Sequence, residues 1–157
     1  MPASRFVFSV LTLSAALLIG CSSDSDEDGA GGDTTLAACN GQGDTFTAGM
    51  SKLGDDGKLT FVLASSDPAP PKRYYNTWVI EVKEGDTPVA GATVDVAPIM
   101  VGHPHPPEDL TISEQSPGSY EATPLNLFML GLWQVEITAT TSDGTTDRTK
   151  FSFCIQG

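Results

Sequence analysis

Between residues 59 and 155 the apolar positions recur every second residue rather than every third or fourth. Trp78, Ile80 and Val82 fall on one register, and Val94 and Val96 alternate with Thr93 and Asp95. Trp133, Val135, Ile137 and Ala139 point away from Gln134, Glu136, Thr138 and Thr140, while Phe151, Phe153 and Ile155 share a face. A period of two is the signature of half-buried β-strands. It predicts strands at 59–64, 78–82, 93–100, 110–113, 119–122, 132–140 and 146–155. Glu84-Gly85-Asp86, Pro117-Gly118 and Ser142-Asp143-Gly144 supply turns between them. Short strands separated by turn signals, with no apolar period of helical length, predict an all-β fold: an immunoglobulin-like antiparallel β-sandwich of about seven strands. The cysteine-tryptophan-cysteine core of immunoglobulin domains is missing, so this expectation rests on pattern. Trp78 and Trp133 lie on inward registers, which suits core packing.

Ahead of the strands the pattern changes twice. Residues 1–20 carry one cation, Arg5, and then an apolar run from Phe6 to Ile19. At about 1.5 Å per residue such a run covers roughly 21 Å, short of a hydrocarbon core of ~30 Å, so it reads as a secretory signal peptide. Its end, Leu18-Ile19-Gly20-Cys21, resembles the lipobox of bacterial lipoproteins, which implies a lipid-modified Cys21 as the first mature residue. Ser22 resembles an outer-membrane sorting signal. Residues 21–36, rich in Ser, Asp and Gly, have nothing to bury and read as an acidic tether, leaving 37–157 as the folded domain. The expected location is the periplasmic side of the cell envelope, with the membrane engaged through the anchor.

Composition narrows the function classes. The 157 residues hold 20 acids and 8 bases, a net charge of −12, with 39% hydrophobic residues. That is enough apolar material for one core. An excess of carboxylates repels phosphate, so nucleic acid is excluded as a partner. The Gly count of 16 and Pro count of 11 suit a turn-rich β protein.

Three cysteines sort by compartment. With Cys21 assigned to lipid, Cys39 and Cys154 remain in an oxidising space near the two ends of the domain, where a disulfide fits; a thiolate metal ligand is the rival reading. A closed loop of 115 residues implies about 4 to 5 kcal/mol in the chain-entropy model.

The residues with chemistry cluster. Met100, His103, His105 and Met129 lie within thirty residues of one another. In a seven-strand sandwich the third and sixth strands are antiparallel neighbours, so the strand ending at Met100 lies beside the strand opening at Leu132. The Met100, His103-Pro104-His105 and Met129 positions are then expected at one end. Thioether sulfur is a soft neutral ligand matched to Cu(I), and imidazole binds Cu(I) and Cu(II), so this set points to copper, Cu(I) above all. Against it, Met is a common core filler and the histidines sit in a proline-rich loop.

Pro98-Ile99-Met100-Val101-Gly102-His103, then Gly118-Ser119-Tyr120, then Met129-Leu130-Gly131-Leu132-Trp133 resemble the motifs of the YtkA-like domain, which is related to the FixH family. The likeness spans roughly residues 57–155. Members are small extracytoplasmic sandwiches, often membrane-anchored, linked to copper handling and oxidase assembly. The resemblance implies Met100, His103 and Met129 as ligands and a cuproprotein or oxidase-assembly partner. Leu130 stands in place of the family's proline, and Pro104 stands where glycine is usual and brings His105 with it.

Three function classes follow. The first is a lipid-anchored periplasmic Cu(I) chaperone or buffer. The second is a metal-free immunoglobulin-like interaction or structural lipoprotein domain, with Tyr74 and Tyr75 beside Lys72 and Arg73 as interface material. The third, an enzyme, is disfavoured: GxSxG, HExxH and glycine-rich phosphate loops are all missing, and only a hydrolytic zinc site of His103, His105, Glu108 and Asp109 comes into question.

Overall fold

A computed structural model of the chain describes residues 39–103, 105 and 109–157. The leader, Cys21 and the tether lie outside the described residues. Among the described residues nine strands form: β1 (Met50–Leu53), β2 (Thr60–Asp67), β3 (Tyr74–Glu84), β4 (Thr87–Pro88), β5 (Thr93–Met100), β6 (Thr111–Ser116), β7 (Ser119–Leu127), β8 (Gly131–Thr140) and β9 (Thr146–Ile155). Every pairing is antiparallel. One sheet runs β1-β2-β3-β7-β6 with β4 added beside β3, and the other runs β5-β8-β9. Setting β1 and β4 aside, the orders β2-β3-β7-β6 and β5-β8-β9 are the two sheets of a seven-strand immunoglobulin sandwich.

All seven expected strands are present, and two short ones join them. The two additions are short: β1 alternates only half-buried and exposed positions, and β4 has two residues. Neither carries enough apolar side chain to show as a period. Strand three also begins earlier than expected, at Tyr74 rather than residue 78, and β7 continues to Leu127 rather than residue 122. Tyr74 and Tyr75 are therefore strand residues, paired with Leu127 and Asn126, and not part of a free loop.

Inward registers of both sheets fill the core. Trp78, Trp133, Phe61, Phe151, Ile80, Ile137 and Ile155 are fully buried, and the Trp78 and Phe153 rings meet edge to face at 5.5 Å. Cys39 and Cys154 are joined, with Cα atoms 5.9 Å apart, fastening the first described residue to β9.

The outer edges of the small sheet are managed differently. Asp44 covers β9, giving its N–H to Ser152 O (2.6 Å) and taking Ser152 N–H on Oδ2 (2.8 Å); Lys52 Nζ adds a bond to Lys150 O (2.8 Å). On β5 the bond from Val101 N–H to Leu132 O (3.1 Å) fixes the parity, so the backbone groups of odd residues bond β8 and those of even residues point to the free edge. Pro98 is even. Its missing N–H therefore falls on the free edge, where it blocks further strand addition.

A polar clasp ties the start of β5 to the large sheet. Tyr120 Oη donates to Val89 O (2.7 Å) and accepts Ala92 N–H (2.8 Å), and the Glu114 carboxylate accepts the N–H groups of Gly91 (3.1 Å) and Gly118 (2.9 Å). Gly118 has φ +75°, and a Cβ there would lie 2.7 Å from Pro88 Cβ. Only glycine fits.

Candidate metal centre

β5 delivers Met100 to one rim of the sandwich. Met100 pairs with Trp133, and both side chains point inward, Met100 being 7% exposed. Gly102, at φ +84°, reverses the chain, and His103 returns to bond Met100 backbone to backbone: its N–H donates to Met100 O at 3.2 Å. The His103 side chain is exposed. Met100 and His103 line a hollow of about 300 Å³ together with Cys39, Val101, Leu130, Gly131 and Leu132. Gly131 is part of this arrangement, because its missing side chain leaves the space that the Met100 methyl occupies; a Cβ there would lie 2.9 Å from Met100 Cε.

His105 lies elsewhere on the same rim. Its ring stacks on Trp133 (centroids 5.7 Å apart, planes at 17°) and meets Phe128 edge-on at 4.6 Å. Nε2 is buried without a hydrogen-bond partner. His105 borders a second hollow, also about 300 Å³, between the free edge of β5 and residues Leu110 and Ile112. Met129 packs half-buried against the core and lines neither hollow, while its carbonyl accepts the Trp133 Nε1–H at 2.9 Å.

The fold therefore brings all four candidate residues to one end, as the neighbouring of the third and sixth strands of the seven-strand plan requires. It does not gather them into one cup: the imidazoles serve separate hollows, Met100 sits with His103, and Trp133 links the rest. Sequence reasoning assigned Trp133 to the core alone. It is buried, at 1% exposure, yet it also faces Met100 in register, carries the His105 ring and holds the Met129 carbonyl. The signal was the spacing Met129-x-x-x-Trp133 within one motif. Cys39 at the hollow was likewise outside the sequence expectation, since nothing in the spacing ties residue 39 to residue 103.

Among the described residues no three His, Cys, Asp or Glu side chains gather where a cation could be held. Glu108, part of the zinc alternative, lies outside the described residues. A metal reading of this rim consequently depends on its methionines. The donors present are neutral, so they suit a soft ion of low charge better than a hard one.

The tyrosines of the alternative reading stand close by. Tyr74 and Tyr75 are 53% and 67% exposed, the Arg73 guanidinium lies 4.7 Å over the Tyr74 ring, and Arg73 Nε donates to Phe128 O at 2.9 Å. Buried Asn76 shapes this turn, accepting Lys72 N–H (3.0 Å) and donating to the carbonyls of Lys72 and Tyr74 (both 2.8 Å).

The architecture and rim define a small β-sandwich, one end of which brings together sulfur, imidazole and aromatic rings. The chain belongs to the YtkA-like family, whose model matches residues 55–138, more than half of its length. That span covers β2 to most of β8 and includes all four candidate residues. No curated protein and no solved structure matches the chain.

Proposed function

We propose that the chain is a lipid-anchored periplasmic protein that binds Cu(I) at the rim and acts as a chaperone or buffer, passing the ion to a cuproprotein or oxidase-assembly partner. The observation that carries this reading is the pairing of a thioether and an imidazole, Met100 and His103, held by backbone bonding on one open hollow. Soft neutral donors at a solvent-open edge bind and release by ligand exchange, which favours transfer over catalysis. Met129 and His105 stand on the same rim and are the ligands an arriving ion would recruit. For His105 the supporting feature is the unpartnered Nε2, which gains a bond when it meets a metal or a donor.

The test is a Cu(I) titration of the full chain against a competing chelator, repeated with Met100→Leu, Met129→Leu and the double variant. Binding that falls in the double variant supports the reading; unchanged binding removes it. A fall in Met100→Leu without one in Met129→Leu confines the site to the Met100 and His103 hollow.

The second reading, a metal-free interaction module, is favoured by the exposure of Tyr74 and Tyr75 beside Arg73. Exposed tyrosines next to a cation are common at interfaces. Partner capture that needs both tyrosines and ignores Cu(I) would establish it in place of the first.

A further inference from the structure

Cys39 lines the same hollow as Met100 and His103, and Cys154 pairs in register with Leu132, which lines it too. One half of the disulfide, Cys39, is thus part of the wall of the candidate metal site, and the other half lies on the strand next to it. We propose that the disulfide is a redox gate on that site: once reduced, its two thiolates join His103 to form a second and far tighter Cu(I) site. The inference rests on reading this hollow as the place where Cu(I) binds.

Three features of the structure carry it. The Cα atoms are 5.9 Å apart, so two separated thiolates can turn onto one ion by side-chain rotation alone. Opening the bond leaves the segment docked, because Asp44 N–H still bonds Ser152 O (2.6 Å) and Asp44 Oδ2 still accepts Ser152 N–H (2.8 Å), while the local turn bond from Gln42 N–H to Cys39 O (2.8 Å) holds Cys39 close to that anchor. His103 is exposed at the mouth and free to reorient toward the pair. Chemically, an external dithiol attacks the Cys39–Cys154 bond and becomes the disulfide itself, handing two electrons and two protons to the protein sulfurs. Cu(I) then displaces the two thiol protons to solvent and forms two metal–sulfur bonds, with no change in its own oxidation state. Thiolates are stronger soft donors than thioethers, so the ion held loosely before reduction is held firmly after it.

The experiment compares the full chain in its disulfide form with the chain reduced by a dithiol, freed of reductant under anaerobic conditions, each titrated with Cu(I) against a chelator. The reduced form is expected to bind one Cu(I) at least ~100-fold more tightly. His103→Ala should weaken the reduced form ~10-fold, and Met100→Leu should weaken the disulfide form only. A Cys39→Ser, Cys154→Ser double variant should not respond to reductant. Equal affinities overturn the proposal, as does a reduced form indifferent to His103→Ala, which would place the thiolate-bound ion outside the hollow. Near-UV circular dichroism guards against unfolding: a signal lost on reduction and not restored by one equivalent of Cu(I) also overturns it. If the disulfide form takes no Cu(I), the thioether reading fails, while the gate is still decided by the affinity of the reduced form and its dependence on His103.

Discussion

Asp147 offers the most direct test of how the sandwich is held. It is 2% exposed, and its carboxylate accepts four backbone N–H groups: Asp56 (2.9 Å) and Arg148 (2.8 Å) on Oδ1, Lys58 (2.8 Å) and Leu59 (3.0 Å) on Oδ2. Gly54 makes room for it, since a Cβ there would fall 2.2 Å from the carboxylate. Asp147→Asn keeps the shape but presents an amide NH₂ to two of these donors. Whichever way the amide turns, one pair of N–H groups is left without an acceptor, and Leu59 is fully buried, with no path to water. A charge-assisted bond is worth about 1.5 to 3 kcal/mol and the solvent-facing donors recover part of it, so the expected cost is about 3 kcal/mol. For a domain of this size that lowers Tm by about 10 to 15 °C. Burial raises the Asp147 pKa, but the bonds from Asp56, Leu59, Lys58 and Arg148 outweigh it and leave it below the ordinary 3.8. A carboxylate with a depressed native pKa adds stability that is present above its unfolded pKa and lost as the pH falls through its native one. The gap between wild type and variant, read by thermal melts, should therefore hold from pH 7 to about 4 and close below that. A variant melting within ~2 °C of wild type at pH 7, or a gap that does not narrow in acid, would refute the reasoning.

Other substitutions separate the rim from the frame. Gly131→Ala places a methyl against Met100 Cε at a φ of +130°, so it should cost about 1 to 3 kcal/mol by denaturant unfolding and weaken Cu(I) binding as Met100 is displaced. Gly102→Ala, with open space around its Cβ, should show only the backbone penalty of its φ of +84° in the same melt. Trp133→Phe keeps a ring for His105 but drops the bond to the Met129 carbonyl; about 1 to 2 kcal/mol of stability and ~10-fold in Cu(I) affinity are expected losses, read by melt and chelator competition. Tyr120→Phe removes the two clasp bonds that Tyr120 makes, leaving those of Glu114, and should cost about 1 to 3 kcal/mol while leaving Cu(I) affinity intact.

What could be read before the fold was known follows from where period and chemistry coincide. The alternations at Trp133–Ala139 and Phe151–Ile155 gave strands and buried faces together, because each has one wet and one dry side. β1 and β4 escaped notice since short edge pieces bury too little to print a period. Residues 65–77 fall between two predicted strands, for the prolines there mask a strand that begins at Tyr74, where the Asn76 side chain bonds the backbone of Lys72 and Tyr74, a side-chain-to-backbone turn that a period-two pattern does not report. Met100 and His103 were legible as neighbours in space; the division of the two imidazoles was not. It is decided by ring packing of His105 onto Phe128 and Trp133, whose partner residues are distant in sequence.

The three family motifs divide the labour along a single strand. Tyr120 acts where β5 begins, through Val89 and Ala92, whereas Met100 acts where β5 ends. Seven residue steps at about 3.3 Å separate the two by roughly 23 Å, so the Gly118-Ser119-Tyr120 element is too far from the rim to touch anything bound there. Its effect is on register. Were β5 to slip by one residue against β8, Met100 would leave the inner face and Ile99, now 41% exposed, would take its place. Glu114, Gly118 and Tyr120 prevent this by fixing Gly91 and Ala92 just before the strand starts. A motif with no ligand in it thereby determines whether the sulfur of another motif reaches the hollow. For that reason Tyr120→Phe should lower stability before it alters the metal site, and only a change that shifts the β5 register should do both.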